Sequence, residues 1–299
     1  MGDLEQQTAV LMAALVGAAV IDLVLLAVWG YRRFVRDMPT FAPRWSAADI
    51  WFSLHLVLLL LVLLVIPLMI ALAFVPGVKM GSAADMTNPL MLLYFALPAT
   101  ILQNVACFLV PAGFIWFKYG ERLRDIGLPP VPSRRDVAAG LVVGVLALLV
   151  AQGIGTGLQA LAQQFQDFEA IRRMLEFEKT NPVAQITKIL PTLGIPGLVL
   201  ALITIGVSAP LGEEMLFRGF AMNALTRRFG GIAGLVLSSV MFAAPHTYSP
   251  IGLSVVFLMG LGLGWTYRNS GSLWVPIIIH ATNNSALVLV AYFFPGLNV

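Results

Sequence analysis

The chain has 299 residues, of which 59% are hydrophobic and only 11% carry charge, and its mean hydropathy is +0.89. A soluble domain carries roughly 25% charged residues. This composition excludes a water-soluble enzyme and a disordered chain, and it indicates a polytopic membrane protein. The formal net charge is +3, but the basic residues lie in short loops, which is typical of membrane proteins rather than of proteins that bind nucleic acid.

Eight apolar stretches reach the length of about 20 residues that a helix needs to cross the hydrocarbon core. In chain order they lie near 9–30, 50–75, 90–117, 137–160, 195–224, 231–248, 250–268 and 273–295. The sequence therefore predicts an all-α polytopic membrane bundle with about eight transmembrane helices. We divide the chain into N-terminal helices of unassigned role (1–136), a middle part (137–194) and a C-terminal part (195–299).

The middle part contains a segment of a different kind, 161–179. Its apolar residues recur at spacings of 4, 3, 3 and 4, and they are Leu161, Phe165, Phe168, Ile171 and Leu175. This spacing is typical of one face of a helix, and charged residues mark the opposite face. We predict an amphipathic helix that lies in the membrane interface over a site below it. A solvated connector packed on the bundle is the alternative.

The loop charges predict the orientation of the bundle. Basic residues are concentrated in the loops 31–49 and 118–136, at Arg227 and Arg228, and at Arg268. With eight spans, all of these positions lie on one side of the membrane, and the opposite loops are poorer in basic residues. The positive-inside rule places the basic loops in the cytoplasm and both termini outside.

The fifth predicted span contains three ionisable residues within six positions: Glu213, Glu214 and Arg218. A charged residue at the centre of a membrane helix costs roughly 2.5–3.5 kcal/mol, so these groups need compensation or a wet cavity. Glu214 and Arg218 are four residues apart and can pair on one helix face. Glu213 lacks that partner, and an unpartnered carboxylate suits a general base near neutral pH. The alternative is an ion pair that only joins helices, and it suits Glu214 and Arg218 better than Glu213.

Two of the three histidines, His246 and His280, fall inside later predicted spans, and His55 lies near the start of the second. Phe242 and His246 are four residues apart, as are His280 and Asn284, so each pair shares a helix face. Ionisable residues on different membrane helices converge on a common cavity. At 1.5 Å per residue, His246 comes out about 23 Å from the cytoplasmic end of its span, against about 17 Å for Glu213 and about 10 Å for His280. The sixth helix must therefore start deeper or tilt strongly.

This set of residues predicts hydrolytic chemistry. A Glu and a His can hold and deprotonate a water molecule, while a second His and an Asn can donate hydrogen bonds to the oxyanion of an amide under attack. The H-E-x-x-H helix of zinc proteases and the G-x-S-x-G elbow of serine hydrolases are both missing from the sequence. One Glu and two His could also bind a catalytic zinc with an open fourth position. The residues leave general-base and metal-assisted hydrolysis both open.

In these motifs the chain resembles the CPBP (CAAX protease and bacteriocin-processing) family of intramembrane proteases, which includes the CAAX prenyl endopeptidases. The resemblance rests on three motifs in the family's order: Glu213-Glu214-x-x-x-Arg218, Phe242-x-x-x-His246 and His280-x-x-x-Asn284. Each lies inside an apolar span. The stretch 262–268, followed by 271–276, resembles bacterial members of the family, and the whole match covers about 195–295.

The resemblance implies an intramembrane endopeptidase whose catalytic core is 195–299. It implies that Glu213 and His246 activate the water and that His280 and Asn284 stabilise the oxyanion. It further implies that Glu214 and Arg218 support the catalytic chamber, with Glu214 as an additional candidate for catalysis, and that Phe242 lines it.

The resemblance also predicts cofactors, partners and location. Members of the family are often called metalloproteases, so Zn²⁺ is a candidate cofactor, with Glu213, His246 and His280 as candidate ligands. The expected partners are the lipid bilayer and a peptide or membrane-protein substrate, with a lipidated C-terminus as one candidate, and no nucleic acid. We expect a multi-pass protein of a bacterial cytoplasmic membrane. The alternatives are a non-catalytic bacteriocin-immunity or scaffold protein, which would tolerate loss of Glu213, and an ion-coupled transporter.

Overall fold

The computed structural model describes residues 43–72, 74, 89–180, 186 and 188–295. Every regular element in these residues is a helix, so the predicted all-α helical bundle is confirmed. The first predicted span, 9–30, lies outside the described residues.

The described helices fit most of the predicted spans. In chain order they are α1 (Ala47–Leu72), α2 (Pro89–Lys118), α3 (Arg134–Gln164), α4 (Glu169–Thr180), α5 (Leu190–Phe229), α6 (Gly231–Ala243), α7 (Pro250–Ser270) and α8 (Trp274–Phe293). A short 3₁₀ turn, Leu123–Ile126, follows α2. Among the described helices, α1, α2, α3, α5, α7 and α8 are long and apolar enough to cross a membrane. The chain therefore has the helices of a multi-pass membrane protein.

The sixth predicted span, 231–248, is wrong at its C-terminal end. The helix α6 stops at Ala243 and has 13 residues, fewer than a membrane span normally needs. Pro245 follows two residues later; it has no backbone N–H and disfavours the helical conformation of the residue before it. His246 therefore lies in the connection to α7 rather than inside a helix.

The predicted amphipathic helix 161–179 is wrong in its first half. Helix α3 continues to Gln164, the residues 165–168 form a turn, and α4 begins only at Glu169. Phe165 and Phe168 lie in this turn and are exposed. The apolar spacing continues across the turn, so periodicity alone could not show the break. The position of α4 in the membrane interface stays a prediction.

The described parts of the basic loops lie together at one end of the bundle, as their charges predict. Arg227 donates a hydrogen bond to the carbonyl of Arg44, before α1 (2.9 Å), and the Arg44 guanidinium pairs with Glu121, after α2 (3.5 Å). The backbone N–H of Leu273, between α7 and α8, donates to the carbonyl of Gly127 (2.8 Å). The cytoplasmic position of this end stays a prediction.

The C-terminal helices surround the region of the polar motifs. Helix α8 packs along α3 and against α5, and α2 packs against both α1 and α5. Leu58 and Leu63 of α1 and Val142 and Leu149 of α3 are all more than half exposed. Large exposed apolar faces are typical of surfaces that contact a membrane or another protein. In this chain they fit contact with lipid.

Candidate active site

The two carboxylates of the first motif lie where α5 changes its winding. Glu213 and Glu214 end the α-helical stretch Ala209–Glu214, which is placed between π-helical stretches at Leu202–Ser208 and Met215–Met222. The first π-helical stretch ends just before Pro210, which cannot donate a backbone hydrogen bond. Turns of π-helix are rare and occur frequently at functional sites.

A close contact with α2 fixes this stretch of α5. A Cβ atom added to Gly212 would lie 2.3 Å from the carbonyl oxygen of Asn104, so only glycine fits here. The buried Asn104 side chain donates a hydrogen bond to Ser208 Oγ (3.1 Å), which in turn donates to the carbonyl of Thr204 (2.7 Å). The backbone directly before Glu213 is therefore held against α2.

The predicted pair of Glu214 and Arg218 is confirmed. The distance from Arg218 Nη1 to Glu214 Oε1 is 2.8 Å, and both side chains are completely buried. Arg218 Nη2 also donates to the carbonyl of Gly260 on α7 (3.0 Å). The guanidinium carbon lies 4.2 Å from the centroid of the Phe242 ring. Arg218 thus joins α5, α6 and α7 through one buried cation.

His280 of α8 lies between the two carboxylates. Its Nδ1 is 2.9 Å from Glu214 Oε1, and its Nε2 is 3.9 Å from Glu213 Oε2. A carboxylate only accepts hydrogen bonds, so Nδ1 must carry the proton in this contact. Glu214 Oε1 accepts from both His280 and Arg218, and this leaves Nε2 facing Glu213.

The second motif enters the site through aromatic contacts. The buried Phe242 ring lies 5.2 Å from the His246 ring, 5.7 Å from the His280 ring and 5.5 Å from the Phe217 ring, measured between centroids. His246 Nδ1 is 2.9 Å from the carbonyl oxygen of Phe242. Since a carbonyl only accepts, Nδ1 carries a proton and Nε2 is the nitrogen that can accept one. Phe242 and His246 are neighbours as predicted, although not on one helix.

Asn284 of the third motif contacts the backbone of α5, and its neighbour Asn283 contacts α7. Asn284 Nδ2 donates to the carbonyl of Ile205 (3.0 Å), in the first π-helical stretch of α5. The preceding Asn283 is buried; its amide contacts Met259 Sδ (3.9 Å), and its Oδ1 has no hydrogen-bond partner in the described structure. The spacing of four from His280 singled out Asn284, and sequence reasoning missed Asn283.

Sequence reasoning also missed Tyr248. Its ring stacks on that of His246, with centroids 5.6 Å apart and an interplanar angle of 19°. Hydropathy places it at the end of the sixth predicted span, and its position two residues after His246 is the one signal that the sequence offers.

The candidate zinc ligands do not form a metal site. Catalytic zinc normally has three protein ligands, and no three His, Cys, Asp or Glu side chains are grouped for metal binding in the described part of the chain. Glu213, His246 and His280 therefore do not fit a zinc ion as they are arranged, and no catalytic step below uses a metal.

The fold and the site together define a multi-pass helical membrane protein with a buried carboxylate, imidazole and guanidinium cluster. Residues 195–286 match the family model described as "Type II CAAX prenyl endopeptidase Rce1-like". This match confirms the resemblance to the CAAX protease family over the segment that contains all three motifs, and it supports a CAAX-type intramembrane protease in general.

Two curated proteins are similar to parts of the chain. An "Uncharacterized 24.3 kDa protein" of Escherichia coli is 30% identical over 157 residues, which are 51% of this chain and 64% of that protein. The "UPF0177 protein YxdF" of Lactococcus lactis subsp. lactis (strain IL1403) is 29% identical over 94 residues, which are 30% of this chain and 51% of that protein. The chain thus spans less than two thirds of the length of either relative. No solved structure matches the chain.

Proposed function

We propose that the protein is an intramembrane endopeptidase that hydrolyses a peptide bond with a water molecule held by Glu213 and His246. The observation that carries this proposal is the buried cluster of Glu213, His280, Glu214 and Arg218. Ionisable residues inside membrane helices are expensive to place there and therefore point to function. The match of residues 195–286 supports the same class of reaction.

In the proposed first step, Glu213 is the general base. Glu213 Oε2 has no hydrogen-bond partner among the described residues, so it can accept a proton from water. The Nε2 of His246 accepts the second hydrogen bond of the same water, because its Nδ1 donates to the carbonyl of Phe242. The water oxygen bonds to the carbonyl carbon of the substrate as Glu213 takes the proton. Glu213 then passes that proton to the leaving amine nitrogen when the C–N bond breaks.

His280 and Asn284 are the proposed oxyanion donors. Because Nδ1 of His280 already donates to Glu214, donation from Nε2 requires that the ring carry both protons. The positive charges of His280 and Arg218 then balance the negative charges of Glu214 and the oxyanion, because Glu213 has become neutral by taking the proton of the water. Asn284 uses one N–H for the carbonyl of Ile205, and its second N–H is available to the oxyanion.

The proposed substrate is a peptide or membrane protein that reaches the site from the bilayer, and a lipidated C-terminus is one candidate. The ionisable residues of the site lie on helices long enough to span a membrane, or directly after α6, so a membrane-associated substrate fits better than a freely soluble one. The proposed location is a bacterial cytoplasmic membrane.

The test is cleavage of a fluorogenic peptide panel, with prenylated and unmodified C-termini, by detergent-purified protein. Glu213→Gln keeps the shape of the side chain but removes the base, so we expect its cleavage rate to fall by roughly 10²-fold or more. Glu121→Gln is the matched control, since Glu121 lies at the basic end and pairs with Arg44; it should keep the wild-type rate. Cleavage by Glu213→Gln at the wild-type rate would contradict the assignment of Glu213 as the base, whereas no cleavage by either protein would favour the non-catalytic alternative.

A further inference from the structure

Tyr248 lies beside the proposed water site without belonging to any of the three motifs. It occupies the connection between α6 and α7, two residues beyond His246, and its ring stacks on the imidazole at 5.6 Å between centroids and 19° between planes. His246 is outside a helix, so regular backbone structure does not fix the direction of its side chain. Ring contacts and the hydrogen bond to Phe242 must do so.

The connection holds Tyr248 firmly in this position. Ser249 is buried and caps α7, where its Oγ accepts from the N–H groups of Ile251 (3.1 Å) and Gly252 (3.3 Å). A Cβ atom added to Gly252 would lie 2.8 Å from Cβ of Tyr248. The first turn of α7 is therefore packed against the Tyr248 side chain, and glycine at 252 makes room for it.

The surroundings of Tyr248 keep its side chain neutral. Burial raises the pKa of the Tyr248 phenol to about 12, and the negative charges of Glu213 and Glu178 add to this effect. Glu178 belongs to α4, so Tyr248 lies within the electrostatic reach of both the catalytic carboxylate and the amphipathic helix. A neutral aromatic ring can pack against an imidazole without competing for the proton of the water.

We propose that Tyr248 is a positioning residue. Its side chain packs against the first turn of α7, and its aromatic ring holds the His246 imidazole so that Nε2 faces the water shared with Glu213. The proposal rests on the proposed function for its catalytic consequence, while the contact itself can be tested without activity. A displacement of about 1 Å in a catalytic group can lower a rate by roughly 10²-fold. The ring, rather than the hydroxyl, is the part that acts.

The kinetic test compares Tyr248→Phe with Tyr248→Leu on one cleaved peptide. Tyr248→Phe keeps the ring, so we expect kcat within about twofold of wild type. Tyr248→Leu removes the stacking partner, so we expect kcat to fall by roughly 10-fold to 100-fold with little change in KM. Gly252→Ala should act like Tyr248→Leu, because the added methyl group would collide with Cβ of Tyr248 and displace its ring. Tyr292→Leu, at the far end of α8 beside Phe293, is the control and should keep wild-type kcat.

The contact is measured independently by NMR of protein labelled at its three histidines, with signals assigned through His55→Ala and His280→Ala. We expect the ring resonances of His246 to shift in Tyr248→Leu and to stay near their wild-type positions in Tyr248→Phe. An unchanged His246 resonance in Tyr248→Leu would overturn the proposal, as would equal losses of kcat in the Phe and Leu variants. If wild-type protein cleaves no peptide, the proposed function fails, and the NMR result still decides whether the Tyr248 ring contacts His246.

Discussion

Arg218 is the residue on which the buried charges of the site depend. It pairs with Glu214, donates to the carbonyl of Gly260 and lies over the ring of Phe242, and its own side chain is completely buried. Removing one partner of a buried ion pair leaves the other charge buried without compensation, which is much more costly than losing an exposed pair.

Substitution of Arg218 by methionine should therefore destabilise the fold. Methionine has a similar length but no charge, so Arg218→Met leaves Glu214 with His280 alone, and we expect a loss of about 3–5 kcal/mol in unfolding free energy. Thermal unfolding of the detergent-solubilised protein measures this loss. Arg228→Met, at an exposed position at the end of α5, is the control and should unfold at nearly the wild-type temperature. Equal unfolding temperatures for the two variants would contradict the structural role of the pair.

Helices α2 and α5 form a close contact that fixes the position of Glu213 and Glu214 along the bundle. The peptide at Gly212 packs against the backbone of Asn104, and the hydrogen bond from Asn104 to Ser208 lies one turn earlier. A methyl group at this contact must move backbone, because no flexible side chain can give way. Such overpacking typically costs about 1–3 kcal/mol.

We expect Gly212→Ala to lower both stability and cleavage, because it separates α5 from α2 next to Glu213. The matched change is Gly262→Ala on α7, where no atom lies within 4 Å of the added Cβ. Since alanine favours helix over glycine by up to about 1 kcal/mol, Gly262→Ala should be neutral or slightly stabilising. Unfolding temperatures and cleavage rates of the two variants measure the difference. If Gly212→Ala equals Gly262→Ala in both, the close contact of Gly212 with Asn104 does not hold α5 in place.

At the scale of elements, hydropathy predicted where the long helices lie, and spacing predicted the pair of Glu214 and Arg218. Hydropathy did not show where α6 ends, because the apolar residues continue to Pro245, and Pro245 itself was the available signal. Spacing did not show that 165–168 turns, because its phenylalanines keep the helical spacing. The π-helical winding that leaves the Ile205 carbonyl to Asn284 depends on packing between α5 and α8. Contacts between distant segments, such as Gly212 on the backbone of Asn104, leave no periodic pattern in the chain.

For the molecule as a whole, the joined basic loops predict a definite orientation in the membrane. Cys107 is the single cysteine and is buried, so an introduced cysteine can be labelled specifically with a membrane-impermeant thiol reagent. We expect Gln166→Cys, in the exposed turn between α3 and α4, to react in intact bacterial spheroplasts. Arg228→Cys, at the basic end, should react only after the membrane is opened. The reverse pattern would show that the basic end faces outward.

As a whole, the molecule is proposed to be a membrane bundle that holds one water-activating carboxylate, Glu213, and uses it to cleave peptides. The most direct measurement is product analysis by mass spectrometry. Wild-type and Glu213→Gln proteins are reconstituted in lipid vesicles and incubated with the same membrane-embedded peptides. We predict a defined cut by the wild-type protein that disappears in the Glu213→Gln variant. Intact peptides in both samples, or the same cut at the same rate in both, would contradict the claim.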